Sequence, residues 1–473
     1  MRKTKIVCTI GPACDSETII EQMIAAGMNV ARLNFSHGTK EYHGDKIRLI
    51  RQISARMGVP VAILQDLAGP KIRVGKIPEP GITLEPGRKF ILTSRKVYGL
   101  IDTVSLSYPD LPREVKKGDR LLLADGLMEL IVEDMTETDI FCRVITGGLL
   151  SSHKGINLPT GTIKAPPLTE KDKIDLLFGL ANQVDYVALS FVKSGEDIHT
   201  IKKLIAQQGK DTPVIAKIEK HEALENLDDI IRNADAIMVA RGDLGVEIPP
   251  EEVPLIQKKM IRSANLLGKP VITATQMLRS MVNQPRPTRA EAADVANAVL
   301  DGTDAVMLSE ETASGNYPVE AVGFMNRIAS AAEAGFPFET YLQSLPEKEM
   351  SASVAHASCI LANHLDARVI IAHTQSGLTA RQIARFRPKQ PILALSPNET
   401  TVRQLSLLWG CLPKLTSEST ETDDMIEKSA QTAIEAGVVE KGDLVVITVG
   451  HPLWVAGTTN MIRVKKIGER ALP

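Results

Sequence analysis

The stretch "VIAKIEKHEALENLDDIIRNADAIMVARGDLG", residues 214–245, holds one complete strand–helix–strand unit. Residues 214–219 form a short apolar run that ends in Lys217 and Glu219. A helical pattern covers about 221–233, and a second apolar run, 236–240, opens into Arg241, Gly242 and Asp243. Runs that are apolar on both faces are buried on both faces, which is the habit of parallel strands joined by a crossover helix.

The same unit repeats on either side. Upstream, strand 5–10 precedes helix 16–27, strand 30–35 precedes helix 39–57, and strand 61–67 is followed by an interruption. The alternation resumes with helix 170–183, strand 186–192 and helix 196–208. Downstream come helix 251–267, strand 270–275, helix 289–300, strand 305–309 and helix 318–334. Eight such units in an α/β chain predict a closed (β/α)8 TIM barrel over residues 1–69 plus 168–340. An open doubly wound sheet fits the same periodicity, and at this level both remain.

The interruption, 70–167, has many Gly and Pro, short apolar runs and no long amphipathic helix. It reads as a small inserted β-barrel domain, hinged at Pro70 and at "LPTGTIKAPP" (158–167). Composition changes again at "LQSLPEKEMS" (342–351). From there 341–473 reads as an open α/β domain with strands at 367–374, 391–396, 443–450 and 460–468, and helices at 351–364, 378–386 and 399–408.

The 473 residues carry 55 Lys and Arg against 57 Asp and Glu, so nothing draws the chain toward nucleic acid or an anionic membrane. Aromatic residues are only 4 %, which disfavours a base-stacking surface. No apolar run reaches membrane-spanning length, and the opening "MRKTKIVCTIGP" is too short in its apolar part for a signal peptide. Five scattered cysteines without metal-ligand spacing read as reduced thiols, so the expected location is the cytoplasm.

In a β/α barrel the chemistry sits at the C-terminal ends of the strands. Strand two ends in Arg32, Asn34, Ser36 and His37, and strand three in Asp66, with Lys71 and Arg73 just beyond. Strand five contributes Lys217 and Glu219, strand six Arg241, Gly242 and Asp243, strand seven Thr273 and Thr275, and strand eight Ser309, Glu310 and Glu311. Single polar residues at loop starts are ordinary, but together these make a coherent set. Glu219 and Asp243 are placed to hold Mg²⁺, and Lys217 and Arg32 to neutralise a phosphoryl group. The competing reading is a salt-bridge cluster of Glu219 and Asp243 with Lys217 and Arg241.

"ARLNFSHG" (31–38), "AKIEKHEAL" (216–224), "ARGDLGVE" (240–247), "ITATQML" (272–278), "RPTRAEAADVANAVLDGTDAVMLSEET" (286–312) and "TQSGLTAR" (374–381) resemble the pyruvate kinase family. That resemblance implies transfer of a phosphoryl group from phosphoenolpyruvate to ADP, giving pyruvate and ATP, with Mg²⁺ or Mn²⁺. It implies catalytic roles for Lys217, Arg32, Thr275 and Ser309, and substrate contacts from Arg32, Gly242, Asp243 and Thr275. Glu219 and Asp243 match metal ligands, and Asn34, His37, Arg73 and Lys154 match nucleotide-side positions. It further implies a homotetramer, with a sugar-phosphate or nucleotide effector cradled by Thr374, Ser376, Gly377 and Thr379 and closed over by the loop 450–460. Many members ligate K⁺ at positions matching Asn34, Ser36, Asp66 and Leu67, and carry a carboxylate where this chain has Lys71. An ammonium is a compact point charge, so K⁺ is expected not to be required. Glu310 also departs from the small residue common there.

Two rivals are a lyase or aldolase barrel acting on phosphoenolpyruvate or pyruvate, and a sugar-phosphate sensor on a retired barrel. The first needs neither the inserted domain nor the Arg32 and Lys217 pair. The second predicts loss of Lys217, Glu219, Asp243 or Thr275, and all four are present.

Overall fold

The computed structural model describes every residue except 160, 162–163, 346–347, 454, 456 and 469–473. Eight parallel strands close into a ring: Lys5–Ile10, Val30–Asn34, Ala62–Asp66, Tyr186–Leu189, Val214–Ile218, Ala236–Ala240, Val271–Ala274 and Ala305–Leu308. The last pairs back onto the first, with Lys5 opposite Ala305, so the ring is closed and the open-sheet alternative falls. Val7, Leu64, Ile215, Met238, Ile272 and Met307 fill its interior. The other face of each strand packs against the surrounding helices, as with Ile6, Leu33, Ile63 and Val239. Helix starts follow sequence chemistry. Thr169 and Thr288 form capping boxes with Asp172 and Glu291, satisfying backbone N–H groups that a helix start leaves unpaired.

The insertion leaves the barrel after Asp66 and returns before the Glu170–Ala181 helix. It has a core of its own, including Phe90, Leu92, Leu121, Leu130, Ile140 and Val144. Among the described residues its hydrogen-bonded strands form a six-stranded sheet and a separate two-stranded ribbon, and the segment 72–75 bridges the two edges of the sheet, with Arg73 opposite Gly155 and Val74 opposite Leu106, closing the expected small β-barrel. The ribbon strands are Ile82–Leu84 and Gly148–Leu150, and irregular register at Glu129/Leu130 and Val132/Asp134 marks bulges that bend the main sheet.

The C-terminal sheet has five strands in the order Cys411–Leu415, Ile392–Ser396, Val369–His373, Leu444–Gly450 and Thr459–Lys466, the last antiparallel. The Cys411–Leu415 strand and the Thr422–Glu435 helix were not expected from sequence. This domain meets the barrel at the end opposite the candidate site. Leu407 is fully buried among the barrel's interior side chains, and Tyr186 donates its hydroxyl to the Gln404 carbonyl at 2.8 Å. Burying one such leucine contributes about 1.5–3 kcal/mol.

Candidate active site

The strand ends converge on a buried knot of charge. Lys217 Nζ lies 2.8 Å from Glu219 Oε1 and 3.3 Å from Asp66 Oδ1, and it donates to Ser190 Oγ at 2.7 Å. Arg32 Nε donates to Asp66 Oδ2 at 2.6 Å and its Nη1 to Thr9 Oγ1 at 2.9 Å. Burial alone would raise the Asp66 pKa, but Lys217 and Arg32 outweigh it and hold the carboxyl below its ordinary value. For Lys217, burial would favour the neutral amine, and Asp66 and Glu219 reverse that, so the ammonium is held above its ordinary pKa. Glu219 goes the other way. Burial, with the like charge of Asp243, pushes its carboxyl up despite Lys217. Two carboxylates that disfavour each other's charge, each paired with an ammonium, and Glu219 also accepting from the Phe191 N–H at 2.8 Å, suit a cation between strands five and six.

Asp243 is paired elsewhere than the cluster reading required. Its Oδ1 is 3.0 Å from Lys71 Nζ, while Arg241 turns away to Asp294 at 2.6 Å. The ion-pair partners of Lys71 among the described residues are Asp243 and Asp125; Asp66 is not one of them. Arg241 also donates to the Ala274 and Thr275 carbonyls, at 3.1 and 2.8 Å. It thereby holds strand seven's end in an uncommon shape: Thr275 and Gln276 have φ of 70° and 55°, where a β-branched residue is strained. Such strain survives only where surrounding contacts over-determine it, commonly at functional sites. Thr275 Oγ1 accepts from the Gly242 N–H at 2.8 Å, at the start of the Arg241–Glu247 helix. That places Thr275 and the helix start together, where an anion would compete for the amide.

The remaining predicted residues spread around this centre. Asn34 stands opposite Asp66 in register and accepts from the Ser36 N–H at 3.1 Å. The Leu67 carbonyl is taken by Ser190 Oγ at 2.8 Å, and the His37 carbonyl faces His43 Nε2 at 2.8 Å. At the hinge, Gly69 has φ 68°, and a Cβ there would stand 2.8 Å from Phe191, so only glycine lets the chain turn into the lid. Arg73 Nη1 donates to the His153 carbonyl at 3.0 Å, and the Lys154 carbonyl accepts from the Val74 N–H at 2.9 Å, so Arg73 and Lys154 lie on two paired segments of the lid. Asn157 of the lid donates to Glu247 Oε1 at 2.9 Å. The same carboxylate receives Lys220 at 2.7 Å and faces His221 Nδ1 at 3.2 Å, tying lid, strand five and the Arg241–Glu247 helix together. The Ser309 N–H donates to Glu311 Oε2 at 2.7 Å. Glu310, unexplained by sequence, pairs with Arg279 at 2.9 Å on the surface, where such a pair contributes about 0–1 kcal/mol.

Far from this centre, Thr374, Ser376 and Thr379 line a C-terminal cleft that also includes Gln375, Gly450 and Thr459. Gly377, with φ 81°, caps the Leu378–Ala384 helix beside it. Trp454 and Ala456 of the expected closing loop lie outside the described residues. Burial drives the adjoining His373 pKa down to about 4, so it is neutral at physiological pH and adds no charge to the cleft.

Sequence reasoning missed Ser190 and Thr9. Ser190 orients the Lys217 ammonium and Thr9 the Arg32 guanidinium. The rule that found the other residues, applied to the ends of strands one and four, picks out both.

A closed barrel with an inserted domain and a buried cluster of Lys217, Arg32, Asp66 and Glu219 at its strand ends has the layout of a (β/α)8 enzyme. Family models described as "Pyruvate kinase, barrel domain" and "Pyruvate kinase, alpha/beta domain" match residues 1–322 and 352–465. A "Pyruvate kinase" of Clostridium acetobutylicum is 45 % identical, covering 99 % of this chain and all of its own. "Pyruvate kinase 2" of Synechocystis is 50 % identical over 98 % of this chain and 79 % of its own, and a Staphylococcus aureus "Pyruvate kinase" is 46 % identical over 99 % and 81 %. The chain belongs to the pyruvate kinase family and is a phosphotransferase.

Proposed function

We propose that this enzyme moves the phosphoryl group of phosphoenolpyruvate to ADP, yielding pyruvate and ATP, with Mg²⁺ or Mn²⁺ held by Glu219 and Asp243. The observation that carries the reading is Lys217, an ammonium kept charged between Asp66 and Glu219. A fixed positive charge in a buried site stabilises negative charge on a group in flight without reorganising at the moment of reaction. Arg32, locked by Asp66 and Thr9, takes the phosphoryl oxygens from the other side. Gly242 and Asp243, with Thr275, receive the substrate carboxylate and enolate, and Ser309 stands at the mouth as part of a proton relay. The metal, when bound, offsets charge on the phosphoryl and enolate oxygens. Asn34, His37, Arg73 and Lys154 face the nucleotide, and the lid excludes water that would hydrolyse the phosphoryl group. No helix among the described residues is long and apolar enough to cross a membrane.

The direct test is ATP formation from ADP and phosphoenolpyruvate, with and without divalent cation. No ATP under any cation would reject the assignment.

We further propose that turnover needs no K⁺, because Lys71 supplies a built-in monovalent charge at the edge of the site, between Asp243 and Asp125. Rates in Na⁺-only and K⁺ buffers are expected to agree within about twofold, whereas Lys71→Glu, which sets a second acid beside Asp243, is expected to create K⁺ dependence or lower kcat/KM by about tenfold or more. Strong K⁺ activation of the unaltered enzyme would refute this. A sugar phosphate or nucleotide phosphate is expected in the Thr374, Ser376, Gly377 and Thr379 cleft of a homotetramer. Activation should then disappear in Ser376→Ala without loss of basal rate.

A further inference from the structure

Lys71 is the one side chain within ion-pair distance of both a barrel carboxylate and a lid carboxylate at this site among the described residues. Its head lies 3.0 Å from Asp243 Oδ1 and 3.8 Å from Asp125 Oδ1. Its stem is pinned: Gly155 of the lid lies over it so closely that a Cβ there would stand 3.0 Å from Lys71 Cε. The head can therefore choose between two acids while the stem stays in place.

Asp125 is presented by an unusual turn. Ala124, Asp125 and Gly126 have φ of 52°, 57° and 86°, three left-handed residues in succession, of which only the glycine adopts that shape without strain. The turn is held on both sides. The Ala124 N–H donates to the Gly155 carbonyl at 3.0 Å, and Gly126 faces Val246 of the Arg241–Glu247 helix, 3.7 Å from where a Cβ would be. A strained turn braced against the helix that carries Asp243 thus aims a largely exposed carboxylate at Lys71. Lys71 is the only ion-pair partner of Asp125 among the described residues.

We propose that Asp125 is a positioning residue, the lid's latch, which takes Lys71 over from Asp243 when a divalent cation occupies Asp243, so that loading the metal and closing the lid become one event. The proposal rests on the reading of Asp243 as a metal ligand. Without the cation, Lys71 neutralises Asp243. A cation bound to that carboxylate repels the ammonium and competes for the same oxygens. Of the two carboxylates paired with Lys71, Asp125 then remains, and the pairing draws the turn onto the barrel.

The test uses the full-length enzyme and Mn²⁺ as the probe. Water-proton relaxation measures Mn²⁺ binding, and hydrogen–deuterium exchange follows the lid turn with and without the ion. In the unaltered enzyme, Mn²⁺ is expected to slow exchange in residues 120–130. Asp125→Asn is expected to bind Mn²⁺ more weakly, because coupling between ion and latch is reciprocal, to lose that slowing, and to raise KM for ADP about fivefold with kcat less affected, the size of one modest ion pair. A charge-swapped Lys71→Glu/Asp125→Lys enzyme should bring the pairing back and recover lid protection above that of Lys71→Glu alone. A merely structural role for an exposed aspartate would leave the metal dependence of exchange untouched. Mn²⁺ binding that requires Asp243 but slows the turn equally in Asp125→Asn overturns the latch and leaves the metal reading standing. Mn²⁺ binding unaltered by Asp243→Asn removes the metal reading and the latch with it.

Discussion

Lys217→Met is expected to lower kcat by at least about 10²–10³-fold, the cost of removing one preorganised charge stabiliser from a buried site. KM for phosphoenolpyruvate should change far less, because Arg32 and the start of the Arg241–Glu247 helix still hold the substrate. The fold should survive. Asp66 keeps Arg32 as a partner at 2.6 Å, and Glu219, whose carboxyl burial already pushes up, is poised to take a proton once its ammonium is gone. Uncompensated removal of one partner from a buried ion pair costs about 3–5 kcal/mol, and protonation of Glu219 puts this variant at the low end. The sign with pH follows. A carboxyl whose folded pKa lies above its unfolded value stabilises fully below the unfolded pKa and loses that contribution as pH rises through the folded one. Without Lys217 the folded pKa of Glu219 rises further, so the stability gap to the unaltered enzyme should be small near pH 5 and widen toward pH 8. Stopped-flow and steady-state assays with parallel denaturation curves check both parts. A variant retaining more than a tenth of the parent kcat would remove Lys217 from the chemistry.

What could be read in the sequence divides along physical lines. The barrel strands were legible because parallel strands buried on both faces are continuous apolar runs, and their ends were legible because the fold puts chemistry there. Register was not. Only the pairing of Lys5 with Ala305 separates a closed ring from an open sheet, and those residues lie far apart in the chain. The Cys411–Leu415 strand escaped because it holds Pro413 and Lys414; as the edge of its sheet it tolerates both, and a central strand would not. Lys71 stood out in the sequence, but its partners could not be read. They are set by how the lid folds back over the hinge, which brings Asp125 and Asp243 to one ammonium.

The C-terminal junction shows the same limit at higher cost. Arg387 sits in "ARFRPKQP", where sequence offers two arginines and a lysine after a helix, ordinarily a solvated cluster. Instead its side chain is 1 % exposed. It donates to Asp304 at 2.9 and 2.7 Å, to the Gly302 carbonyl at 2.8 Å and to Asn265 Oδ1 at 2.5 Å, and it lies over the Trp409 ring. Asp304 directly precedes barrel strand eight and also accepts from the Val271 and Trp409 N–H groups at 3.0 and 3.2 Å. One guanidinium therefore fixes the C-terminal domain to the base of the strand whose other end carries Ser309. Arg387→Met is expected to cost about 3–5 kcal/mol, because it leaves Asp304 buried with its charge uncompensated. The doubly altered Arg387→Met/Asp304→Asn enzyme should recover part of that loss, since the buried charge is gone, although the single amide oxygen can accept only one of the two backbone N–H groups that Asp304 takes on separate oxygens. Urea denaturation of the parent, both single variants and the double variant closes the cycle. A single Arg387→Met variant within about 1 kcal/mol of the parent would mean that the domains are held by their other contacts, among them Leu407, the Tyr186 hydroxyl on Gln404 and the Arg403–Asp185 pair. The expected coupling would instead show that this ion pair carries a large share of the hold between the two domains.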